Sequence, residues 1–374
     1  GANGVGYKNY PDNVVKYFVR QAAKGGVDLF RVFDCLNWVE NMRVSMDAIA
    51  EENKLCEATI CYTGDLLNSA RPKYDLKYYT GLAAELEKAG AHIIAVKDMA
   101  GLLKPAAAKV LFKARREVSG LPSQCHAPDA AGNAAANGLA GVDAAVDAVE
   151  AAIDACAGSK WRPWFGSILE ALAGSERDTG LDTEWIRRIC CYWEAVRNQY
   201  AAFESDLRGP ASEVYLHGMP GGQFTNLKEQ ARSLGLETKW NKVAQTYADV
   251  NQMFGDIVQV TPSSKVVGDW ALMMVSQDLT VADVENPQQD IAFPDSVVAM
   301  LKGDLGQPPG GGPEAIQKKA LKGDKPYTDV PGSLLAPADL DKERKDIETK
   351  LERKVDDFEF ASYLMYPKVF TDFA

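Results

Sequence analysis

His92–Gly101 reads HIIAVKDMAG, an apolar run that closes on a lysine, an aspartate and a glycine-bearing turn. A run of this length bounded by a turn suits a buried β-strand, with Lys97 and Asp98 at its end. The same pattern recurs on both sides. Short apolar runs occupy Leu29–Phe33, Ala58–Tyr62, Ser123–His126 and Ala148–Ile153, besides His92–Val96. Amphipathic stretches separate them at Pro11–Ala23, Trp38–Glu52, Leu76–Ala89, Pro105–Val118 and Ala131–Leu139. In Leu76–Ala89 the residues Tyr79, Leu82, Leu86 and Ala89 share one stripe, as expected of a helix docking on a sheet. Gly25–Gly26 and Gly90 stand just before strands, where helix C-caps belong.

Strands alternating with helices of this length predict parallel βα units. Several strands end in polar residues: Arg31 to Asp34, Thr63 to Asp65, Lys97–Asp98, then His126 and Asp129. In a (β/α)8 barrel the carboxyl ends of the strands form the active-site face. An open doubly wound sheet is the alternative, but no GxGxxG turn follows an early strand. Five strands are clear, with Gly1–Tyr7 as the tail of another, and a closed barrel would need about three more units before Gly1. The expectation is therefore an α/β chain: a (β/α)8 TIM barrel missing its first strands, followed by a mostly helical domain. Beyond about Asp206 helical pattern dominates, at Thr225–Leu234, Trp240–Phe254, Val266–Ser276, Thr280–Val284 and Asp295–Lys302. Gly306–Pro313 (GQPPGGGP) is a breaker, and Ala338–Val355 reads as a charged, solvated surface helix. The chain divides into a barrel portion at 1–205, a helical extension at 206–310 and a C-terminal segment at 311–374.

Composition narrows the function. The 374 residues are 46% hydrophobic and 25% charged, ordinary for a globular protein. A formal net charge of -11 argues against nucleic acid as a partner, though local arginines and lysines can still bind an anion. No apolar stretch reaches the ~20 residues of a membrane span, and no signal-peptide pattern opens the chain. Seven scattered cysteines form no CxxC pair, which suits buried thiols in a reducing cytoplasm.

Lys97, leaving an apolar strand, is a Schiff-base or carbamate candidate, or a strand-end lysine paired with Asp98 or a neighbouring Asp. His126 lies in SQCHAPDAAGN, where strand alternation puts Gln124 and His126 on one face and Cys125 on the other. Taken alone, a histidine is more often structural; beside Lys97 on the adjacent strand, a shared site gains weight. VTPSSKVVGD (Val260–Asp269) offers Thr261, Ser263, Ser264 and Lys265 ahead of a helix, suited to an anion or to plain N-capping. Tyr7, His217, Arg31 and Arg71 are weaker candidates, and MPGGQ (Met219–Gln223) is a tight turn.

Long strings then point to a family. GVGYKNYPDNVVKYFVRQAAKGGVDLFRVFDCLNWVENM (4–42), CYTGDLLNSARPKYDLKYY (61–79) and VKDMAGLLKP (96–105) resemble the carboxyltransferase region of pyruvate carboxylases. So do EVYLHGMPGGQFTNL (213–227), YADVNQMFGDIVQVTPSSKVVGD (247–269), FPDSVVAMLKGDLGQPPGG (293–311) and YLMYPKVF (363–370). Transcarboxylase and oxaloacetate decarboxylase subunits and the HMG-CoA lyase group share the barrel idea.

The resemblance implies a ligase half-reaction in gluconeogenesis: carboxybiotin gives up CO2, and pyruvate's enolate captures it as oxaloacetate. Biotin would arrive on a carrier domain, since no AMKM-like attachment sequence is present. Biotin carrier and biotin carboxylase domains would be partners, and the molecule a homo-oligomer. Lys97 matches the family's carboxylated, metal-binding lysine and His126 the first histidine of its metal-binding HxH, for a divalent ion such as zinc or manganese. Thr261 matches the proton-shuttling threonine and Tyr7 a tyrosine near the biotin pocket, with Ser264 and Lys265 beside them as substrate- or biotin-binding candidates. Several departures stand out. Pro128 takes the place of the second histidine, and the family's metal-binding Asp and pyruvate-gripping Arg would lie before Gly1. Gly218 stands for a glutamate and Ala130–Ala131 for Thr and Ser. Cys156–Gly166 (CAGSKWRPWFG) brings bulk and positive charge to a loop that is small and polar in the family. Two further readings therefore stay open: an inactive or engineered scaffold with the metal site lost, and a Schiff-base lysine at Lys160 or Lys97 among new aromatics.

Overall fold

The computed structural model describes residues 2–158, 160–204 and 209–374. The first part runs α1 (Asp12–Lys24), β1 (Leu29–Phe33), α2 (Val39–Glu51), β2 (Leu55–Tyr62), α3 (Leu76–Lys88) and β3 (Ile93–Asp98). It continues through α4 (Pro105–Val118), β4 (Ser123–His126), α5 (Ala134–Asp143) and β5 (Ala148–Val149). The helices that follow are α6 (Phe165–Leu172), α7 (Thr183–Gln199), α8 (Val214–His217), α9 (Gly221–Ser233), α10 (Trp240–Met253) and α11 (Ser263–Ser276). The last are α12 (Val281–Glu285), α13 (Asp295–Lys302), α14 (Glu314–Leu321), α15 (Leu340–Leu351), α16 (Asp357–Met365) and α17 (Pro367–Phe373).

All strands are parallel and adjacent in chain order, β1-β2-β3-β4-β5. Sequential parallel strands with right-handed crossovers keep their helices on one face, which leaves the other face free to carry a site. The five strands read from the sequence all form, while closure into an eight-stranded barrel is not shown. Among the described residues the sheet is open and has five strands. Residues 2–5, expected as a strand tail, are turns, tied to β1 where the Ala2 amide donates to the Phe33 carbonyl at 2.8 Å. The expected boundary at 205/206 lies outside the described residues.

Local chemistry explains where the elements start. The Asp75 carboxylate caps α3 by accepting the Tyr78 amide at 2.8 Å, and Thr280 with Asp283 forms a capping box on α12. Tyr79, Leu82 and Leu86 are buried as the stripe required, while Ala89 is half-buried. After β3 the Asp98 carboxylate accepts the amides of Ala100, Gly101, Leu102 and Leu103 at 2.8–3.3 Å. Gly101 sits there at φ 76°, a left-handed conformation that a side chain would strain. One aspartate thus fixes the path by which the chain leaves the end of β3.

One apolar core joins the sheet to the helical half, from Ile60 and Ile94 through Val243 and Tyr247 to Trp270. Helix α11 buries ten of its 14 residues, with Trp270 stacked on Phe293 at 4.7 Å. Burying such side chains is worth roughly 1.5–3 kcal/mol each, so this helix anchors the helical half. The C-terminal helices close back on α1. Tyr10, Val14 and Val15 pack with Met365, and the Arg344 guanidinium donates to the Tyr17 hydroxyl at 2.8 Å. Among the described residues no helix is long and apolar enough to cross a membrane.

Candidate functional site

The free face of the sheet carries charge. Arg31 on β1 is level with Glu57 on β2, and Lys97 on β3 is level with His126 on β4. Glu150, just after β5, gathers them. Its carboxylate takes Gln124 Nε2 at 2.7 Å and Arg162 Nε at 3.1 Å, and also the Arg31 guanidinium and His126 Nδ1. Arg31 also donates to Glu57. That Gln124 and His126 reach the same carboxylate bears out the strand alternation read from the sequence.

Burial penalises a charged Glu150, but the His126 and Arg31 hydrogen bonds outweigh it and hold the carboxyl well below the usual range. His126 moves the other way: burial drives it down to about 4, against the pull of Glu150, so the ring is neutral. Its Nδ1 meets both the Glu150 carboxylate and Arg31 Nη1, the latter at 3.0 Å, while its Nε2 faces the donor-only guanidinium of Arg162 and offers it a lone pair. Lys97 makes no ion pair among the described residues; its Nζ lies over the Phe33 ring at 3.8 Å. Burial first, then Arg31 and Arg162, lowers its pKa. The alternative Lys97–Asp98 pairing is absent because Asp98 is spent on main-chain amides, and burial pushes that carboxyl up to about 6.

These residues do not fit a divalent cation. The Nε2 lone pair of His126 is taken by a guanidinium, and Pro128 offers no ligand atom. Arg31, Arg162 and Lys97 bring positive charge to the position, and among the described residues no three His, Cys, Asp or Glu side chains are grouped for a metal.

Beside this cluster lies a cleft of about 310 Å³ lined by Tyr7, Phe33, Asp34, Asn41, Thr261 and Leu305 among others. Tyr7 and Thr261, distant in sequence, thus face one space, and Phe33 separates it from Lys97. Ser264 and Lys265 do not line it. Ser264 is buried in α11 with its hydroxyl unpartnered, and Lys265 pairs with Asp269 at 2.6 Å on the helix surface. Nor does Ser263 or Ser264 cap α11: Ser263 donates to the Val258 and Val260 carbonyls instead. Arg71 is occupied with Asp256 at 2.9 Å, and His217 is buried, accepting the Met219 amide on Nδ1 at 3.0 Å.

Residues 214–374 match the family described as a conserved carboxylase domain. Pyruvate carboxylase of Bacillus subtilis is 47% identical over 372 residues, which are 100% of this chain and 32% of that protein. Its Staphylococcus aureus counterpart is 45% identical over 373 residues, again 100% and 32%. The solved carboxyl transferase domain of Rhizobium etli pyruvate carboxylase is 81% identical with a TM-score of 0.98, covering 100% of this chain and 62% of that one. The chain belongs to the pyruvate carboxylase carboxyltransferase family.

It spans about a third of the curated pyruvate carboxylases it matches. A second Rhizobium etli structure, of the domain with pyruvate and biocytin, gives the same TM-score of 0.98 and covers 63% of its chain. Against the family pattern, the sequence reading overlooked Glu57 and Glu150, and it noted Arg162 only as loop charge. A glutamate inside the apolar run LCEATICY (55–62) is the signal that could have exposed Glu57, since a buried carboxylate needs a cation.

Proposed function

We propose that the chain is the carboxyltransferase portion of a biotin-dependent pyruvate carboxylase, moving CO2 from carboxybiotin to pyruvate to give oxaloacetate. The observation that carries this reading is the cleft shared by Tyr7 and Thr261 in a chain 81% identical to a domain solved with pyruvate and biocytin. Thr261 is exposed to that cleft, and no group among the described residues takes its hydroxyl. A neutral hydroxyl can donate its proton to the biotin nitrogen as CO2 departs and accept one from pyruvate's methyl group. The enolate carbon then bonds to the CO2 carbon. The positive sheet face of Arg31, Lys97 and Arg162 favours the anionic substrate and enolate, and Tyr7 walls the biotin side. No step is assigned to a metal. Biotin carrier and biotin carboxylase domains, a homo-oligomeric state and a cytoplasmic setting belong to the same proposal. So does a division into barrel, helical extension and C-terminal segment.

The guanidinium on His126 favours a second reading, a scaffold of this fold that has lost the transfer. The reverse reaction separates the two: oxaloacetate is supplied with free biocytin and pyruvate is followed with lactate dehydrogenase. Biocytin-dependent pyruvate formation, abolished in Thr261→Ala, supports transfer. A folded chain with no biocytin-dependent rate supports the scaffold.

A further inference from the structure

A second cleft, of about 440 Å³, is lined in part by Lys160, Trp161, Arg197, Gly221, Gly222 and Thr225. Lys160 is held firmly there. A Cβ added at Gly221 would lie 2.9 Å from the Lys160 Cβ and 3.0 Å from its carbonyl oxygen, so only glycine lets this segment close on the start of α9. The Lys160 Nζ lies over the Phe224 ring at 4.3 Å, and Trp161, 64% exposed, stands on the rim.

The Phe224 ring face gives a charged amine some support, and no carboxylate pairs with it among the described residues. Among the described residues Lys160 has no ion pair within 4.0 Å; Glu213 acts only at longer range. Arg197 shares the cleft but is committed to Glu204 at 2.6 Å, and His217 is neutral. The amino end of α9, against which Lys160 packs, carries partial positive charge and disfavours a second cation. Burial lowers the amine's pKa in the same direction.

We propose that Lys160 is a nucleophilic amine that captures a small 2-oxo acid as a Schiff base, with the acid's carboxylate at the amino end of α9. The Nζ lone pair forms a bond to the carbonyl carbon, and the carbonyl oxygen takes up a proton. The carbinolamine then loses that oxygen as water, with Nζ giving up its hydrogens, to leave the C=N bond. Helix amides and the dipole suit the carboxylate, and the aromatic walls suit the short acyl chain. This capture is separate from the Thr261 cleft and does not depend on carboxyl transfer.

Pyruvate with sodium cyanoborohydride tests it, since hydride reduces the imine to a stable secondary amine that peptide mass mapping can locate. The expected result is labelling at Lys160 at least about tenfold faster than at exposed Lys368, since only the neutral amine adds to the carbonyl. Lys160→Arg should abolish that label while biocytin-dependent turnover is unchanged, with circular dichroism confirming the fold. Labelling at Lys160 no faster than at Lys368, or label concentrated at Lys97, would overturn the assignment. Because these rates are read in the unmodified chain, a misfolded variant leaves the test intact.

Discussion

Asp98 shows how much one buried side chain organises. Replacing it with Ala removes the acceptor for the amides of Ala100, Gly101, Leu102 and Leu103. Unfolding in urea should show a loss of about 3 kcal/mol, and Asp98→Asn, which keeps one acceptor oxygen, a smaller loss. His217 gives a pH signature. Burial lowers it from 6.5 to about 4, and its Nδ1 must stay unprotonated to accept the Met219 amide. Between those values the unfolded chain binds a proton that the folded one refuses, so stability falls as pH drops from 6.5 to about 4 and then levels off. A stability difference from His217→Gln that is flat across this window would refute that account. At this scale Tyr7, Lys97 and Thr261 stand within long family strings, and Tyr7 and Thr261 come to line one cleft. Partners were not legible in the sequence. Glu150 and Arg162 meet because strand ends and a loop converge, and no local pattern records such convergence.

Among elements, strands were read more surely than the helices after them. β1 and β4 match the expected bounds, and β3 runs on to Asp98, so Lys97 lies within the strand. The fifth strand is only Ala148–Val149, because the chain next turns toward Trp164, where Ala152 makes an isolated bridge. Helix α7 was absent from the sequence reading although Ile186, Ile189, Trp193 and Val196 recur at helical spacing, and none of its residues is buried. Trp185, Ile189, Tyr192 and Trp193 are all at least 42% exposed. A helix with so little packing should open early. Hydrogen exchange is expected to be on the order of 100-fold faster in α7 than in α11, and equal protection would contradict the exposure described.

At the scale of the whole molecule, the parallel βα units were legible and form one open five-stranded sheet among the described residues. The clasp between the C-terminal helices and α1 was hidden. Arg344 joins Tyr17 at 2.8 Å and Asp357 at 2.6 Å, and stacks over Phe360 at 4.4 Å. Arg344→Ala should lower stability by about 2 kcal/mol in chemical denaturation, with an unchanged denaturant slope. An unaffected midpoint would mean that the apolar contacts of Tyr10 and Met365 hold the clasp alone.

Trp270, enclosed against Phe293 at the heart of α11, also gives the protein an internal optical reporter. Its indole is shut off from solvent, whereas Trp161 and Trp185 are 64% and 60% exposed. Acrylamide should therefore quench the fluorescence in two classes, leaving a blue-shifted remnant that Trp270→Phe diminishes. Following that remnant as denaturant rises reports the melting of the joint core by light alone, while the quenchable indoles report the surface.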